Sequence, residues 1–344
     1  MTVRTEPGLL QVCFLNQLTN MVKFRLKERI PVDAIDNVSD KYSLEYRNSE
    51  IDDSRFKEEQ SIENLYGLLY PPVLVFESGR YVTAAGKSII AFYSKINKNV
   101  PCGLIIDTPE DKYDFLKYLI YLKKGHTGLN VVEKSNALKK CYSLKGKIEK
   151  EIAELLGVPK NEMIIKQYID LADAPEKIKT LILSGKLHEY TAFEIFSFMR
   201  EEWTLLADFI SALFLGTKKR NKIINMIYEI TQREKKGVNS IIKSDEINGI
   251  LHSSADPPHV GERIFTYVEE MRYPAVCKYR KSFYEKLKNV GFDKTMQLTA
   301  PRDFELREFK LTFTFSSSEN FNEQVMKLKK ISESGSFKNF MEMK

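Results

Sequence analysis

Between Lys147 and Ile169 the chain reads KIEKEIAELLGVPKNEMIIKQYI, and no other stretch restricts its folding choices as much. A helix-turn-helix needs two short helices at a steep angle with a tight turn between them. Ala153 is small where the second helix must approach the first, and Gly157 sits where the chain must turn. Ile152, Leu155, Leu156 and Val158 form an apolar wedge, which Met163 and Ile164 are expected to close from the second helix. Pro159 suits the start of that helix, where its missing N–H would have no partner anyway. Lys160, Asn161 and Glu162 occupy its exposed start, with Lys166 and Gln167 one and two turns on. Lysine can meet phosphate or guanine, and asparagine or glutamine can pair with adenine in the major groove. The same pattern also fits an ordinary helical hairpin with a solvated polar face, and Glu162 opposes phosphate.

The chain has 344 residues, enough for two or three domains. Apolar residues make up 43% and charged residues 29%, an ordinary globular composition. A net charge of +6 permits an anionic partner without demanding one. Cys13, Cys102, Cys141 and Cys277 show no paired spacing, so neither a disulfide framework nor a zinc knuckle is expected, and a reducing cytoplasm is the plain reading. Residues 1–20 lack the pattern of a signal peptide, and no apolar run is long enough to span a membrane.

The pattern along the chain predicts an α+β protein. Residues 1–25 form a lead segment. A small α+β domain is expected over 26–108, beginning with the strand IPVDAI (Ile30–Ile35). Asp36–Gln60 reads as a polar loop with a weak helix, and Ser61 as the cap of a short helix over Ile62–Tyr66. Strands follow at Val73–Phe76, Arg80–Ala84 and Val100–Ile106, with a helix at Ser88–Lys95. A helical domain is expected over 109–234, with the helix-turn-helix at 147–171. Asp111–Lys123 places Tyr113, Leu116, Leu119 and Ile120 on one helical face. Gly, Ser, Asn and Pro enrichment marks 235–259 as a linker. A C-terminal α+β domain is expected over 260–344, with a strand at Lys310–Phe315 and a helix at Glu319–Ile331.

The order of these elements resembles the ParB family of chromosome and plasmid partition proteins, whose N-terminal domain shares its fold with sulfiredoxin. GLLYPPVLV (Gly67–Val75) is similar to the family's "GLLQP" phrase. YVTAAGKSIIAFY (Tyr81–Tyr93) is similar to the strand, "aGeRR" turn and helix that follow, and VPCGLIID to the last strand. VVEKSNALKKC (Val131–Cys141) looks like the helix before the reader motif, EIAELLGVPKNEM like the motif itself, and Ala174–Ile195 like the segment after it. The resemblance covers about residues 25 to 200. It implies a small ParB/sulfiredoxin-like α+β domain, a helical helix-turn-helix domain and a C-terminal domain able to dimerise.

The function so implied is sequence-specific binding of double-stranded DNA, in partition or regulation, by a cytoplasmic homodimer that can work with a partition ATPase. Lys160, Asn161, Lys166 and Gln167 would face the major groove. KKRNK supplies Lys218, Lys219, Arg220 and Lys222 for phosphates, against the plain alternative of solvated lysines. Family members that hydrolyse CTP use arginines in "GeRR" and "ENxxR"; here those phrases read GKSI (Gly86–Ile89) and KGHTGLN (Lys124–Asn130), and both arginines are missing. Normal CTPase activity is therefore not expected. Gly86, Lys87 and Ser88 still lie at a strand-to-helix turn that favours an anion, with His126 near the second phrase, so CTP with Mg remains a candidate ligand. The competing enzyme reading is a nucleotide-binding or ParB-like nuclease activity on the N-terminal domain. A third reading is a protein-interaction scaffold. No catalytic or metal-ligating residues are assigned: His252, Asp256 and His259 lack helical spacing, and the Asp52–Asp53 pair reads as a charged loop.

Overall fold

The computed structural model describes residues 24–46, 53–126, 128–299 and 308–342, so the lead segment falls almost wholly outside the described residues. The protein is mixed α+β and divides into two compact units, 1–207 and 208–344, with the division inside one helix.

In the first unit a five-stranded sheet has the order β1-β5-β3-β4-β2. β1 (Arg25–Ile30) runs antiparallel to β5 (Val100–Asp107), β5 parallel to β3 (Val73–Glu77), β3 antiparallel to β4 (Arg80–Ala85), and β4 parallel to the short β2 (Ile35–Asp36). β1 starts earlier than expected. Pro31 has no N–H to give a ladder and opens a 3-10 turn at Val32–Ala34, so IPVDAI is split into the end of one strand and the start of another. The weak helix expected within Asp36–Gln60 and the short helix after it form one element, α1 (Asp53–Tyr66), and Ser61, instead of capping, bonds back to Lys57 within it. α2 (Lys87–Lys95) packs Ile90, Phe92 and Tyr93 against Ile30, Leu74, Val100 and Ile105. Cys102 is half-buried, not buried, and burial holds its thiol above the usual range.

The rest of this unit is helical. α3 (Lys112–His126) buries Tyr113, Leu116, Leu119 and Ile120 as its pattern predicts, and runs on through Gly125 to His126. α4 (Val131–Lys145) starts with a reciprocal cap: Asn130 accepts from Glu133 N at 2.9 Å, and Glu133 accepts from Asn130 N at 3.0 Å. α5 (Lys150–Leu156), α6 (Glu162–Ala172), α7 (Glu176–Leu183) and α8 (Glu189–Ile195) follow, and the unit boundary falls within α9 (Trp203–Ala212).

In the second unit α10 (Thr217–Glu234) buries Ile223, Ile224, Ile227 and Ile230. The segment expected as a linker is folded. α11 (Val238–Ile242) and α12 (Asp245–Leu251) each bury isoleucines, Ile241, Ile242 and Ile247, which outweigh the Gly and Ser content of the stretch. α13 (Pro257–Arg272) and α14 (Pro274–Lys288) lead to an antiparallel pair, β6 (Met296–Thr299) and β7 (Lys310–Phe313). α15 (Ser318–Glu333) and α16 (Gly335–Met341) complete it, with Phe283, Val290 and Phe340 at the centre of a small aromatic core. Among the described residues, no helix is long and apolar enough to cross a membrane.

Candidate nucleic-acid interface

α5 and α6 are joined by a turn whose geometry follows from its residues. Gly157 has φ 66°, a left-handed conformation that L side chains resist, and ends α5. Val158 N returns to Ala153 O at 2.9 Å. Ile152, Ala153, Leu155, Leu156 and Val158 are buried, as the wedge requires. The second half of the wedge differs from expectation. α6 begins at Glu162, so Pro159 lies in the turn before it, and Ile165, Tyr168 and Leu171 face inward. Met163 is 66% exposed and Ile164 half-buried, because α6 turns its Ile165, Tyr168 and Leu171 face inward and Met163 lies nearly opposite.

The outer stripe of α6 carries Glu162, Met163, Lys166, Gln167 and Asp170, with Lys160 just ahead. Lys160 and Lys166 are exposed, and Gln167 is half-buried. Asp170 is half-buried and held above the usual carboxylate range by that burial. The stripe is open but its charges nearly balance.

Asn161 is committed elsewhere. Its Oδ1 accepts from Met163 N at 2.9 Å and Ile164 N at 3.2 Å, capping α6. A bidentate pair with adenine needs that same oxygen, so the expected base contact conflicts with the cap. Sequence reasoning passed over Lys134 and Lys147. Lys134 reaches from α4 to the turn, with Nζ 4.0 Å from where a Cβ on Gly157 would stand. Lys134, Lys147, Lys160 and Lys166 hold no ion pair among the described residues, whereas Lys145 and Lys150 pair with Glu149 and Glu154. The signal for Lys134 is spacing across two helices, which only a fold supplies.

KKRNK lies in the first turn of α10, not between helices. That end of a helix disfavours cations, and the cluster is met by carboxylates from α13. Lys219 Nζ lies 2.6 Å from both Glu262 oxygens, and Lys222 Nζ lies 3.3 Å from Glu269. Both ammoniums also face the Phe265 ring, at 5.5 and 5.3 Å. Arg220 donates to Leu213 O at 2.6 Å and is half-buried, so it holds the chain's own backbone. Lys218 is exposed without an ion pair among the described residues.

The turn at Gly86 is built for an anion. Gly86 has φ 92°, and a Cβ there would stand 2.9 Å from Pro72 Cβ, so only glycine fits. Its N–H and that of Lys87 point at one carboxylate: Glu45 Oε1 accepts from Gly86 N at 3.2 Å and Oε2 from Lys87 N at 2.7 Å. The Lys87 side chain turns away from the cradle. It is 2% exposed, and its Nζ donates to Asp40 at 2.7 Å. Ser88 is buried in the first turn of α2. His126 ends α3, and its side chain lies outside the described residues. Lys123, which sequence reasoning did not single out, lies 3.4 Å from Glu45 and 2.9 Å from Glu133. A cavity of about 460 Å3 opens beside the cradle, with Glu58, Glu59 and Glu63 on its wall. No group of His, Cys, Asp and Glu among the described residues is arranged to hold a metal ion.

No family profile matches the sequence, and no curated protein does. Among solved structures, the chain is similar to the C-terminally truncated chromosome-partitioning protein ParB of Caulobacter crescentus complexed to the centromeric parS site. The identity is 19% and the TM-score 0.32, over 58% of this chain and 99% of that one. ParB of the same organism complexed with CTP-gamma-S matches at 18% identity and a TM-score of 0.23, over 54% of this chain and 97% of that one. The structure neighbours are thus ParB; a likeness this loose carries no residue role, ligand or assembly across.

Proposed function

We propose that the chain binds double-stranded DNA as a ParB-type protein, with α6 as its reading helix. The observation that carries this is the open outer stripe of α6, set behind a left-handed glycine and a capping asparagine, with the exposed Lys160 and Lys166 on it. Lys160, Lys166 and Gln167 take the base-facing positions. Lys134 takes phosphates at the turn and Lys147 ahead of α5, and Lys218 adds an exposed cation from the KKRNK cluster. Asn161 shapes the helix start and is not counted as a reader. Lys219 stays in reserve: its pair with Glu262 is exposed, and such pairs are worth about 0–1 kcal/mol, so a phosphate can replace Glu262. Lys222 is held by the buried Glu269, which also holds Arg280.

Partition or regulation, a homodimer and a partition ATPase as partner are the finer parts of this reading, and they rest on the sequence resemblance. A dimer would present two copies of α6 to half-sites about 34–36 Å apart. For CTP with Mg, or a nuclease reaction, the geometry offers less support, because Glu45 fills the cradle that a phosphate would need.

The test is selection of bound fragments from a random duplex pool, followed by fluorescence anisotropy at several salt concentrations. Gln167→Ala is expected to relax preference at one base pair, at about 1–3 kcal/mol, while Lys134→Ala weakens all duplexes alike and lowers the salt slope by about 1. Failure to retain any duplex at low salt removes the reading.

A further inference from the structure

The outer stripe of α6 is polar except for Met163. This residue lies in the first turn of the helix and is 66% exposed. Ile165 and Tyr168 face inward, and at 3.6 residues per turn Met163 stands about 160° from the first and about 140° from the second. The core beneath α6 therefore does not take it up. Its backbone is held in place all the same, because Met163 N donates to Asn161 Oδ1 at 2.9 Å. Gln167 follows one turn on, and Lys166 lies beside it.

Single exposed apolar residues are common on protein surfaces and mean nothing by themselves. Position gives this one its meaning. The first turn of a reading helix is the part that meets base edges. A thioether has no donor and only a weak acceptor, so it is a poor partner for the hydrogen-bonding groups of those edges. The apolar group that a base pair shows in the major groove is the C5-methyl of thymine. An unbranched, polarisable side chain has the reach and the softness to lie against it.

We infer that Met163 reads the C5-methyl group of a thymine, so that the preferred duplex carries a T·A pair under the first turn of α6. The inference rests on α6 being the reading helix and adds a base identity to that reading. Four residues of helix rise about 6 Å and successive base pairs about 3.4 Å, so this thymine falls within about two base pairs of the one that Gln167 contacts.

The experiment uses the full chain and the duplexes recovered from the random pool. Each thymine in turn is replaced by uracil, which lacks only the methyl group, and affinity is read by fluorescence anisotropy at fixed salt. In wild type, uracil at one position of each half-site is expected to weaken binding about four- to tenfold, the size of one buried methyl contact. That position should lie within about two base pairs of the one at which Gln167→Ala relaxes preference. Met163→Ser and Met163→Gln should each bind the thymine and uracil duplexes equally. Met163→Leu, which keeps an apolar end, should retain the difference. Selected duplexes on which uracil has no effect in wild type overturn the inference and leave duplex binding standing. A uracil effect of equal size in Met163→Ser and Met163→Gln overturns it too. Recovery of no duplex removes the reading of α6 and this inference with it.

Discussion

Asn161 shows how one atom settles a residue's role. Its Oδ1 already accepts from two backbone N–H groups at the start of α6. Asn161→Ala is expected to lower stability by about 1 kcal/mol, as loss of a cap does. Serine caps nearly as well, so Asn161→Ser should keep both the melting temperature and the base preference. A lost preference at an unchanged melting temperature would return Asn161 to the reading face. Lys140 is the second case. Burial lowers its ammonium to about 8, against 10.5 as the ordinary value. Between those values the unfolded chain holds the extra proton, so this group's contribution makes stability rise with pH, and below 8 the slope vanishes. Lys140→Met removes that slope. Urea unfolding at pH 7.5 and 9.5 should show wild type gaining on the variant by on the order of 1–2 kcal/mol at the higher pH. A flat difference would show that the ammonium keeps its ordinary value.

Helices whose start and stop signals are local were legible in the sequence. The inward face of α3 came from spacing and the turn at Gly157 from its glycine, whereas the reciprocal cap of Asn130 and Glu133 that starts α4 emerged only in the structure. The failures also have local causes. Pro31 split a strand, and isoleucines folded a Gly- and Ser-rich stretch into α11 and α12. At the turn between α5 and α6, Gly157→Ala forces a side chain into φ 66° with no clash, Lys134 Nζ being 4.0 Å away. The expected loss is roughly 1–2 kcal/mol from backbone strain alone. Gly86→Ala should cost more in the same urea titration, since a Cβ there also collides with Pro72. If the two lose equally, the close approach of Pro72 is not felt.

The chain divides within α9, and each unit has its own buried apolar residues. A fragment of residues 1–215 keeps α1 to α9 whole and is expected to unfold cooperatively in circular dichroism. It should also keep the base preference of the full chain in a gel shift, because every proposed reader lies within it. Its salt slope should fall if Lys218 meets phosphate. A fragment that folds yet selects no sequence would move the reading function out of the first unit. The net charge of +6 predicts only that binding weakens with salt, since charge balance says little about fold.

The sequence by itself determined the helices whose start and stop signals are local, the bend between α5 and α6, and the apolar face of α3. Those features depend on neighbours three or four residues apart and on the conformational limits of Gly and Pro. The tertiary structure decided which polar groups remain available. Glu45 meets Gly86 across 41 positions, and Lys219 meets Glu262 across 43. Nothing local encodes either pairing, because each needs two elements packed side by side before the charges come within reach.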